Sequence, residues 1–580
     1  MNRIDRVVIA GLVLVLAIAA FAIGGPALGP RPSGSALVPS SGRGAAAGAP
    51  EPYREGVLSR PTNVNPLAAR TQADRDLVAL VFEGLVARNA EGQAIPALAR
   101  SWTASAKGAT WTFELNPDRH WQDGEPVTAD DVVFTIQTLQ DPTYRGPGAG
   151  SWAGVTVTAV GATTVRFELA TPIGGFLDLA VQPIVPRHLL ADVAPADMAA
   201  ADFGKEPTGS GAYAIVELDR DHAVLEPAAA VSSPTDGGRT PPPSADPLAT
   251  AKPTVRPTDR PAGLTRLEFR FFDRADDLTS AFRAGELDAA SGLDPAAAAA
   301  LARTPSVRAI RNPTTTLAAV VLNLRPTEDA FADPRSRLAL LEAIDRTRIV
   351  GVVFGGAAHE ADGLVPPSSW AFDPASTPPV GRNLKAAAKS LVAAGWKKAA
   401  DGWHHGAAKE PRTLELLVPS RTSNPILYAT GSQVASDWRM LGFAVTVVEE
   451  DPSAIATDHL RTGDFEAAVV DIAIGHDPDL YPLLASSQVR TGGANVIGLQ
   501  DPLLDDLLEA ARKPASDAAR IAAYAALQKR LAGGTYVLPL AWPDDVVVLG
   551  ERVDGPAIRE VSDGSERFGD VLTWRLADDR

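Results

Sequence analysis

Histidine is the first residue type to test for chemistry, because an imidazole can act as a general base or as a metal ligand. The chain has eight histidines and no cysteine, which excludes disulfides, thiolate metal ligands and a cysteine nucleophile. Histidines that bind one metal from a helix stand one turn apart, whereas His404 and His405 are adjacent. They lie between Gly402 and Gly406, so the pair indicates exposed turn residues rather than a metal site.

The other patterns that could carry catalysis are weak. Ser210 lies between two glycines, which favours a turn, and the sequence places no base beside it. The acidic runs Asp130–Asp131 and Glu449–Asp451 are interpreted as a helix start and a solvated strand end. The chain has no G-x-S-x-G elbow, H-E-x-x-H motif, Walker A loop or G-x-G-x-x-G motif. We therefore expect no catalysed reaction, no cofactor and no metal ligand.

The stretch from Trp111 to Leu139 predicts a strand, a turn and a helix. Apolar and polar residues alternate from Trp111 to Leu115, which is the period of a half-buried strand. Thr128 stands three residues before Asp131, an N-cap pattern with negative charge in the first helical turn. Apolar residues then follow at helical spacing as far as Leu139.

The amino-acid sequence of this stretch, WTFELNPDRHWQDGEPVTADDVVF, closely resembles the signature of the family 5 solute-binding proteins. This is the dipeptide- and oligopeptide-binding type that serves ABC importers. Similar motifs occur at 182–190, 207–218 and 337–346, and His120 and His188 fall in motifs that look structural. The resemblance implies an α/β fold of the periplasmic-binding-protein type II, with two lobes, mixed sheets, an extra subdomain and a hinge between the lobes.

The resemblance and the local composition divide the chain into segments. They are a signal anchor or transmembrane helix at 1–29, a flexible linker at 30–56, lobe I at 57–313, lobe II at 314–535 and a return to lobe I at 536–580. Lobe I would hold a subdomain at about 96–202 and a disordered Pro/Ser/Thr-rich insertion at about 227–262. The apolar run Val7–Ile23 follows two arginines and is longer than a usual signal-peptide core, and the small-x-small sites behind it are poor cleavage sites, so an uncleaved anchor is favoured; a cleaved and secreted form is the alternative.

Charge and composition limit the partners. The chain has 580 residues, 45% hydrophobic and 21% charged, as expected of a globular protein with two or three domains. Its 54 basic and 70 acidic residues give a net charge of −16, which argues against a nucleic-acid surface. The expected partners are a small-molecule or peptide ligand, the permease subunits of an ABC transporter and, through the N-terminal helix, the membrane. The protein itself is predicted to be a monomer.

The resemblance also implies which residues line the ligand cleft. One stretch is the loop before the first helix: Arg70, Thr71 and Gln72. The other is a strand and turn of lobe II: Asp471, Ile472, Ala473, Ile474, Gly475, His476 and Asp477. Ile472 and Ile474 could equally face the core, because only one face of a strand points into a cleft. Arg461 could meet an anionic group, or it could be a solvated surface side chain.

Two residues that often anchor peptides in relatives are missing. By ungapped reading, Ile472 stands where a Trp is common and Gly475 where an Asp pairs with the peptide ammonium group. Asp471 or Asp477 could substitute as the anion, although Asp477-Pro478 also resembles a structural turn. An unpaired buried ammonium is costly, so a free peptide N-terminus is disfavoured and a neutral, less polar or differently charged solute stays open.

The predicted function is the extracytoplasmic substrate-binding component of an ABC importer. It would capture a peptide-like or other small solute by hinge closure and deliver it to a membrane permease. Two alternatives on the same scaffold remain open at this point. One is a membrane-anchored extracytoplasmic sensor, and the other is a protein that binds a metal or metal chelate, in which His476 would matter.

Overall fold

The structure, a computed structural model, describes residues 51–577 apart from 106, 229–262, 328 and 490–492. The predicted anchor at 1–29, most of the linker at 30–56 and nearly all of the insertion at 227–262 lie outside the described residues. Across the part of the chain that is described, no helix combines the length and the apolar character that crossing a bilayer requires.

The predicted linker extends a few residues too far, because strand β1 begins at Tyr53. β1 (Tyr53–Val57) pairs in parallel with two strands that come much later in the chain, Tyr53 opposite Leu267 and Glu55 opposite Ala289. Both Tyr53 and Glu55 are fully buried. The pairing partners, rather than the composition of the preceding segment, decide where the folded body begins.

Twelve strands of the described chain form one large sheet, and the others form small sheets of two or four strands. The strands after β1 are β2 (Val86–Arg88), β3 (Ala94–Pro96), β4 (Ala99–Ala104), β5 (Thr110–Leu115), β6 (Val155–Ala159), β7 (Thr164–Leu169), β8 (Tyr213–Leu218), β9 (His222–Pro227), β10 (Leu267–Phe271), β11 (Ala289–Ser291), β12 (Val307–Pro313), β13 (Thr316–Leu322), β14 (Ala358–Glu360), β15 (Trp396–Ala399), β16 (Gly402–His405), β17 (Thr413–Pro419), β18 (Ala444–Glu450), β19 (Ala467–Ala473), β20 (Val537–Gly550), β21 (Val553–Asp554) and β22 (Arg575–Leu576).

Helices flank these strands. The α-helices are Gln72–Val81, Ala129–Gln140, Phe176–Leu179, Arg187–Leu190, Ala275–Arg283, Pro295–Leu301, Pro334–Ala343, Arg346–Arg348, Leu384–Ala393, Pro425–Leu441, Pro452–Ala454, Tyr481–Leu484, Pro502–Arg512 and Asp517–Gly534. Short 3₁₀ helices occur at Pro195–Asp197, Asp202–Gly204, Asp329–Phe331, Ser486–Gln488 and Gly564–Thr573, and π-helical turns at Ile349–Val353 and Ile455–Leu460.

The strand and helix predicted between Trp111 and Leu139 are confirmed. In β5 the buried residues alternate with half-buried ones, starting from Trp111. The helix Ala129–Gln140 begins after Thr128, as the N-cap pattern predicts. The Asp131 carboxylate accepts hydrogen bonds from the backbone N–H of Thr128 at 2.8 Å and from its hydroxyl at 2.9 Å.

A four-stranded sheet, in the order β4-β5-β7-β6, packs against an aromatic cluster. The rings of Phe167 and Phe113 are 5.5 Å apart, and those of Phe167 and Phe176 are 5.4 Å apart. Trp152 lies edge-on to Phe176 at 5.9 Å. Because Phe176 is fully buried, it holds in place the short helix Phe176–Leu179, which carries Asp178 toward the site described below.

The large sheet has two halves joined by the long strand β20. Its first residues pair with β13, from Val537 to Ala541, and its last residues pair with β12, from Asp544 to Gly550. The first half continues through β19, β17 and β18, and the second through β11, β1, β10, β9 and β8. The change of partners in β20 therefore falls a few residues after the boundary predicted at 535/536.

The first half of the sheet is buried on both faces. Ala318, Val320 and Leu322 of β13 pack into one apolar cluster, and Leu317, Ala319 and Val321 pack into another. β13 carries apolar residues at six successive positions, 317–322, which is typical of a sheet covered on both faces by helices. This burial makes β13 a rigid neighbour for β19, with which it pairs along its whole length.

Candidate functional site

A cavity of about 470 Å³ lies beside the end of β19. Its described lining residues all belong to the region 321–537, and all of them are apolar except Asn424 and Asp471. Four of the residues predicted to contact ligand contribute to the wall: Asp471, Ile472, Ala473 and Ile474. A volume of this size is within the range of sites for small molecules.

The cavity exists beside β19 because the neighbouring strand β17 stops short. β17 pairs with β19 at Ala467 and Ala468, and β17 ends at Pro419. On the other side, β13 continues to pair with β19 as far as Ala473. In the described chain, residues 470–473 therefore have one strand edge without a paired strand, and we call this stretch the open edge. Backbone N–H and C=O groups on such an edge can bind an extended ligand.

Asp471 is the polar feature of the open edge. Its carboxylate makes no hydrogen bond or ion pair to the described residues, and it is exposed at the cavity wall. The surrounding protein nevertheless removes enough water from the carboxylate to raise the pKa of Asp471 to about 6. Above that pH the site presents an uncompensated negative charge next to an apolar wall.

The residues that follow the open edge turn the chain away from the sheet. The buried Ile474 donates its backbone N–H to the carbonyl oxygen of Thr315 at 3.0 Å. Gly475 has a φ of +84°, a left-handed conformation that a residue with a side chain rarely adopts. Ile472 pairs with Leu317 and is half-buried beside the apolar cluster. Ile472 and Ile474 are therefore core residues that also reach the cavity wall.

His476 lies outside the cavity and is held between two carboxylates of the C-terminal segment. Its Nδ1 is 3.1 Å from Glu560 Oε1, and its Nε2 is 2.8 Å from Glu566 Oε2. Burial would lower the pKa of His476, but the hydrogen bonds to the two carboxylates outweigh it and raise the pKa to about 8. The imidazole is therefore a cation at neutral pH, with both ring nitrogens already engaged.

Asp477 is also fully engaged. Its carboxylate accepts hydrogen bonds from Arg520 Nη2 at 2.7 and 3.0 Å and from the hydroxyl of Tyr524 at 3.2 Å. Its backbone N–H donates to Asp178, which forms an ion pair with Arg88. This network joins the turn after β19 to the short helix Phe176–Leu179 and to β2, so Asp477 has a structural role.

The three residues predicted in the loop before the first helix do not reach the cavity. Thr71 caps the helix Gln72–Val81 by accepting a hydrogen bond from the Asp74 N–H at 3.0 Å. Arg70 is exposed and donates to the carbonyl oxygen of Arg145 at 2.9 Å. Gln72 donates to Asp76 at 2.7 Å and lies beside the backbone of Gly564. The loop is thus connected to His476 only indirectly. Gln72 lies beside Gly564, and Glu566 in the same segment binds His476.

Arg461 is near the cavity but does not line it. It follows the π-helical turn Ile455–Leu460, which supplies part of the wall. The Arg461 side chain is exposed and makes no ion pair with the described residues. Of the two interpretations of this residue, the solvated surface side chain fits this position.

Several important residues were not singled out from the sequence. Glu560, Glu566 and Arg520 position the turn after β19, and Asp178 and Arg88 support it. They come from distant parts of the chain, and no local spacing connects them. Within the described residues, no cluster of three His, Asp or Glu side chains is arranged to hold a metal ion.

Comparisons with known proteins agree with this architecture. The model of the "Bacterial extracellular solute-binding proteins, family 5 Middle" matches residues 93–493. Protein XP55 of Streptomyces lividans is 29% identical over 515 residues, which cover 86% of this chain and 85% of that protein. The periplasmic murein peptide-binding protein MppA of Escherichia coli is 25% identical, with 83% and 86% covered.

Solved structures show the same fold. The oligopeptide-binding protein AppA from Bacillus subtilis, in complex with a nonapeptide, matches with a TM-score of 0.69 and 20% identity. The match covers 91% of this chain and 100% of that chain. The α/β solute-binding fold predicted from the sequence is confirmed by this likeness and by the mixed sheets described above.

Proposed function

Because the chain belongs to the family 5 bacterial extracellular solute-binding proteins, we propose that it is the substrate-binding component of an ABC importer. It captures a peptide-like or other small solute outside the cytoplasm and delivers it to a membrane permease without catalysing a reaction. The observation that carries this proposal is the cavity of about 470 Å³ at the open edge of β19. The peptides named for the relatives AppA and MppA support a peptide-like solute.

The open edge explains how a solute with a polar backbone could be held. On the edge of β19 that faces away from β13, the backbone groups of residues 470–473 pair with no described strand, and a ligand can complete the sheet there. The apolar wall would take the side chains or the hydrocarbon part of the solute by removing them from water. Backbone hydrogen bonds would supply affinity, and the shape of the wall would supply selectivity.

Capture by hinge closure is part of the proposal. One lobe would comprise 57–313 with 536–580, and the other 314–535. Its support is that the chain passes between the two halves of the large sheet at two adjacent places, near Thr314 and within β20. The Thr314 hydroxyl donates to the carbonyl oxygen of Pro543 at 2.8 Å, so the two crossings are bonded side by side. Two short connections that lie side by side are typical of a hinge between two lobes.

We also propose that residues 1–29 hold the protein at the outer face of the membrane. The support is the apolar run Val7–Ile23 behind Arg3 and Arg6. Membrane fractionation before and after a high-salt wash tests this part, because an anchored protein stays with the membrane and a released one does not.

Native mass spectrometry of the full chain, followed by titration with peptide and metabolite pools, tests capture. We expect a co-purified or added solute to bind, and small-angle scattering to show a smaller radius of gyration when it does. Ala456→Trp should abolish binding by filling the cavity, whereas Ala400→Trp, in an exposed turn between β15 and β16, should not. Binding without any change in the scattering profile, or no binding from any pool, would contradict the proposal.

A further inference from the structure

The residues that line the cavity favour one chemical class of solute. Among the residues that the structure describes, the cavity wall contains one charged residue, Asp471, and one other polar residue, Asn424. The Asn424 side-chain oxygen already accepts a hydrogen bond from the Leu427 N–H at 3.0 Å, where it caps the helix Pro425–Leu441. The remaining wall offers only apolar side chains. Of the described lining residues, Asp471 is therefore the one that carries a charge available to a ligand.

The Asp471 side chain is exposed, but the surrounding protein reduces the hydration of its carboxylate and so raises its pKa. A carboxylate that has lost part of its hydration is favoured by a nearby cation, and no described cation lies close enough to Asp471 to shift its pKa. By contrast, Asp477 and Asp479, only a few residues away, are paired with Arg520 and Arg512. The fold thus pairs the neighbouring acids with its own arginines, whereas Asp471 has no partner in the part of the chain that the structure describes.

We propose, on the basis of the proposed function, that the transported solute carries a single positive charge on a bulky apolar body and that this charge pairs with Asp471. An amine or a guanidine attached to an aromatic or aliphatic group has this chemistry. The apolar body fills the cavity within region 321–537, and the cation lies at the open edge. The other residues of β19 hold the ligand through their backbone groups.

The same wall disfavours a carboxylate on the solute. None of the described residues that line the cavity is Lys, Arg or His, so a negative group placed inside it would find no counter-charge among them. It would also be repelled by Asp471. A zwitterionic dipeptide confined to the cavity would therefore bind more weakly than the corresponding dipeptide amide, which keeps the ammonium group and lacks the carboxylate.

Isothermal titration calorimetry of the full chain at pH 7.5 tests the proposal with three probes that share one body. They are 4-phenylbutylamine, 4-phenylbutanol and 4-phenylbutyrate. We expect the amine to bind about tenfold or more tightly than the alcohol, because a charged hydrogen bond is lost in the alcohol, and the butyrate to bind most weakly. Asp471→Asn should reduce the preference for the amine to about threefold or less.

Asp464→Asn is the matched control, since Asp464 is exposed near the same region and does not line the cavity. It should keep the full preference. Circular dichroism would verify that both variants are folded, and Asp471→Asn should melt no lower than the wild type because it removes an unpaired charge. Equal binding of the three probes, no binding of the amine, or a preference that survives Asp471→Asn would overturn the proposal.

The proposed transport function can be separated from this inference. If peptides from a pool bind and reduce the radius of gyration while the amine preference is absent, the solute class is wrong and capture by closure stands. If neither the pool nor the probes bind, both fail together. Tri-alanine, a zwitterion with small side chains, serves as the reference peptide in the same titrations.

Discussion

His476 Nε2 lies 2.8 Å from Glu566 Oε2, although 90 residues separate the two side chains in sequence. The contact ties the turn after β19 to the C-terminal 3₁₀ helix Gly564–Thr573. Glu560 occupies the other ring nitrogen, at 3.1 Å. The hydrogen bond to His476 also holds the pKa of Glu566 below its usual value, against the effect of burial. The turn after β19 is thereby fastened by a buried cation.

This contact predicts a pH-dependent stability. The pKa of His476 is raised to about 8, so its contribution is fully present below the ordinary value near 6.5 and is lost as the pH rises through 8. The wild type should lose about 2 kcal/mol of stability between pH 6.5 and pH 9 from this group. His476→Gln should be less stable at pH 6.5 and show a smaller decrease over the same range.

Thermal melting in matched buffers measures this effect, with His120→Gln as the control, since the described hydrogen bond of the His120 ring is to the backbone carbonyl of Asp118 and not to a carboxylate. The control should follow the wild-type pH profile. If His476→Gln showed the same pH dependence as the wild type, the ion pair would not contribute as described.

Ligand affinity should depend on pH through Asp471. The carboxylate is charged above its pKa of about 6 and neutral below it. An amine probe keeps its charge throughout this range, so its affinity should be constant from pH 8 to 7 and fall by up to about tenfold per pH unit below 6. Titrations of 4-phenylbutylamine at several pH values measure this, and the neutral alcohol should show no such decrease. A flat profile for the amine would exclude Asp471 as its partner.

Replacement of the buried Arg567 is predicted to destabilise the folded protein strongly. Arg567 is 1% exposed, and its guanidinium binds Glu55 at 2.7 Å and Asp76 at 2.8 Å, both of which are also buried. Arg567→Met should destabilise the protein by about 3–5 kcal/mol, because two buried carboxylates would lose their counter-charge. Urea denaturation followed by tryptophan fluorescence provides the measurement.

Arg335→Met is the comparison for that variant, because Arg335 forms an exposed pair with Asp333 at the surface. Exposed pairs of this kind contribute little, so the transition midpoint should stay close to that of the wild type. Equal destabilisation by the two substitutions would mean that burial does not determine the effect.

The glycine turn before β8 should not tolerate a side chain. A Cβ atom at Gly209 would lie 1.9 Å from the carbonyl oxygen of Val81, whereas one at Gly161 would have no neighbour within 4 Å. Gly209→Ala should therefore cost about 1–3 kcal/mol or more through backbone displacement. Gly161→Ala should change the stability little. Denaturation curves of both variants decide the point, and equal midpoints would show that the backbone at residue 81 can move.

Local signals predicted the elements well where the decisive interactions are local. The alternation in β5 and the cap at Thr128 depend on residues a few positions apart, and both are present in the structure. The motif at 111–134 also identified the family, which the match over 93–493 confirms. The ligand-contact residues predicted from the resemblance stay predictions, although four of them line the cavity.

The sequence by itself determined the family, the α/β class and the position of the β19 stretch. The reason is that hydrophobic periodicity, helix capping and sequence motifs are properties of neighbouring residues. Only the tertiary structure decided which residues surround that stretch. Three features depend on contacts between distant segments. They are the early end of β17, the hydrogen bonds between His476 and the carboxylates of Glu560 and Glu566, and the absence of a described partner for Asp471. Residue spacing along the chain carries no information about such contacts, since they arise when the sheet and its loops assemble.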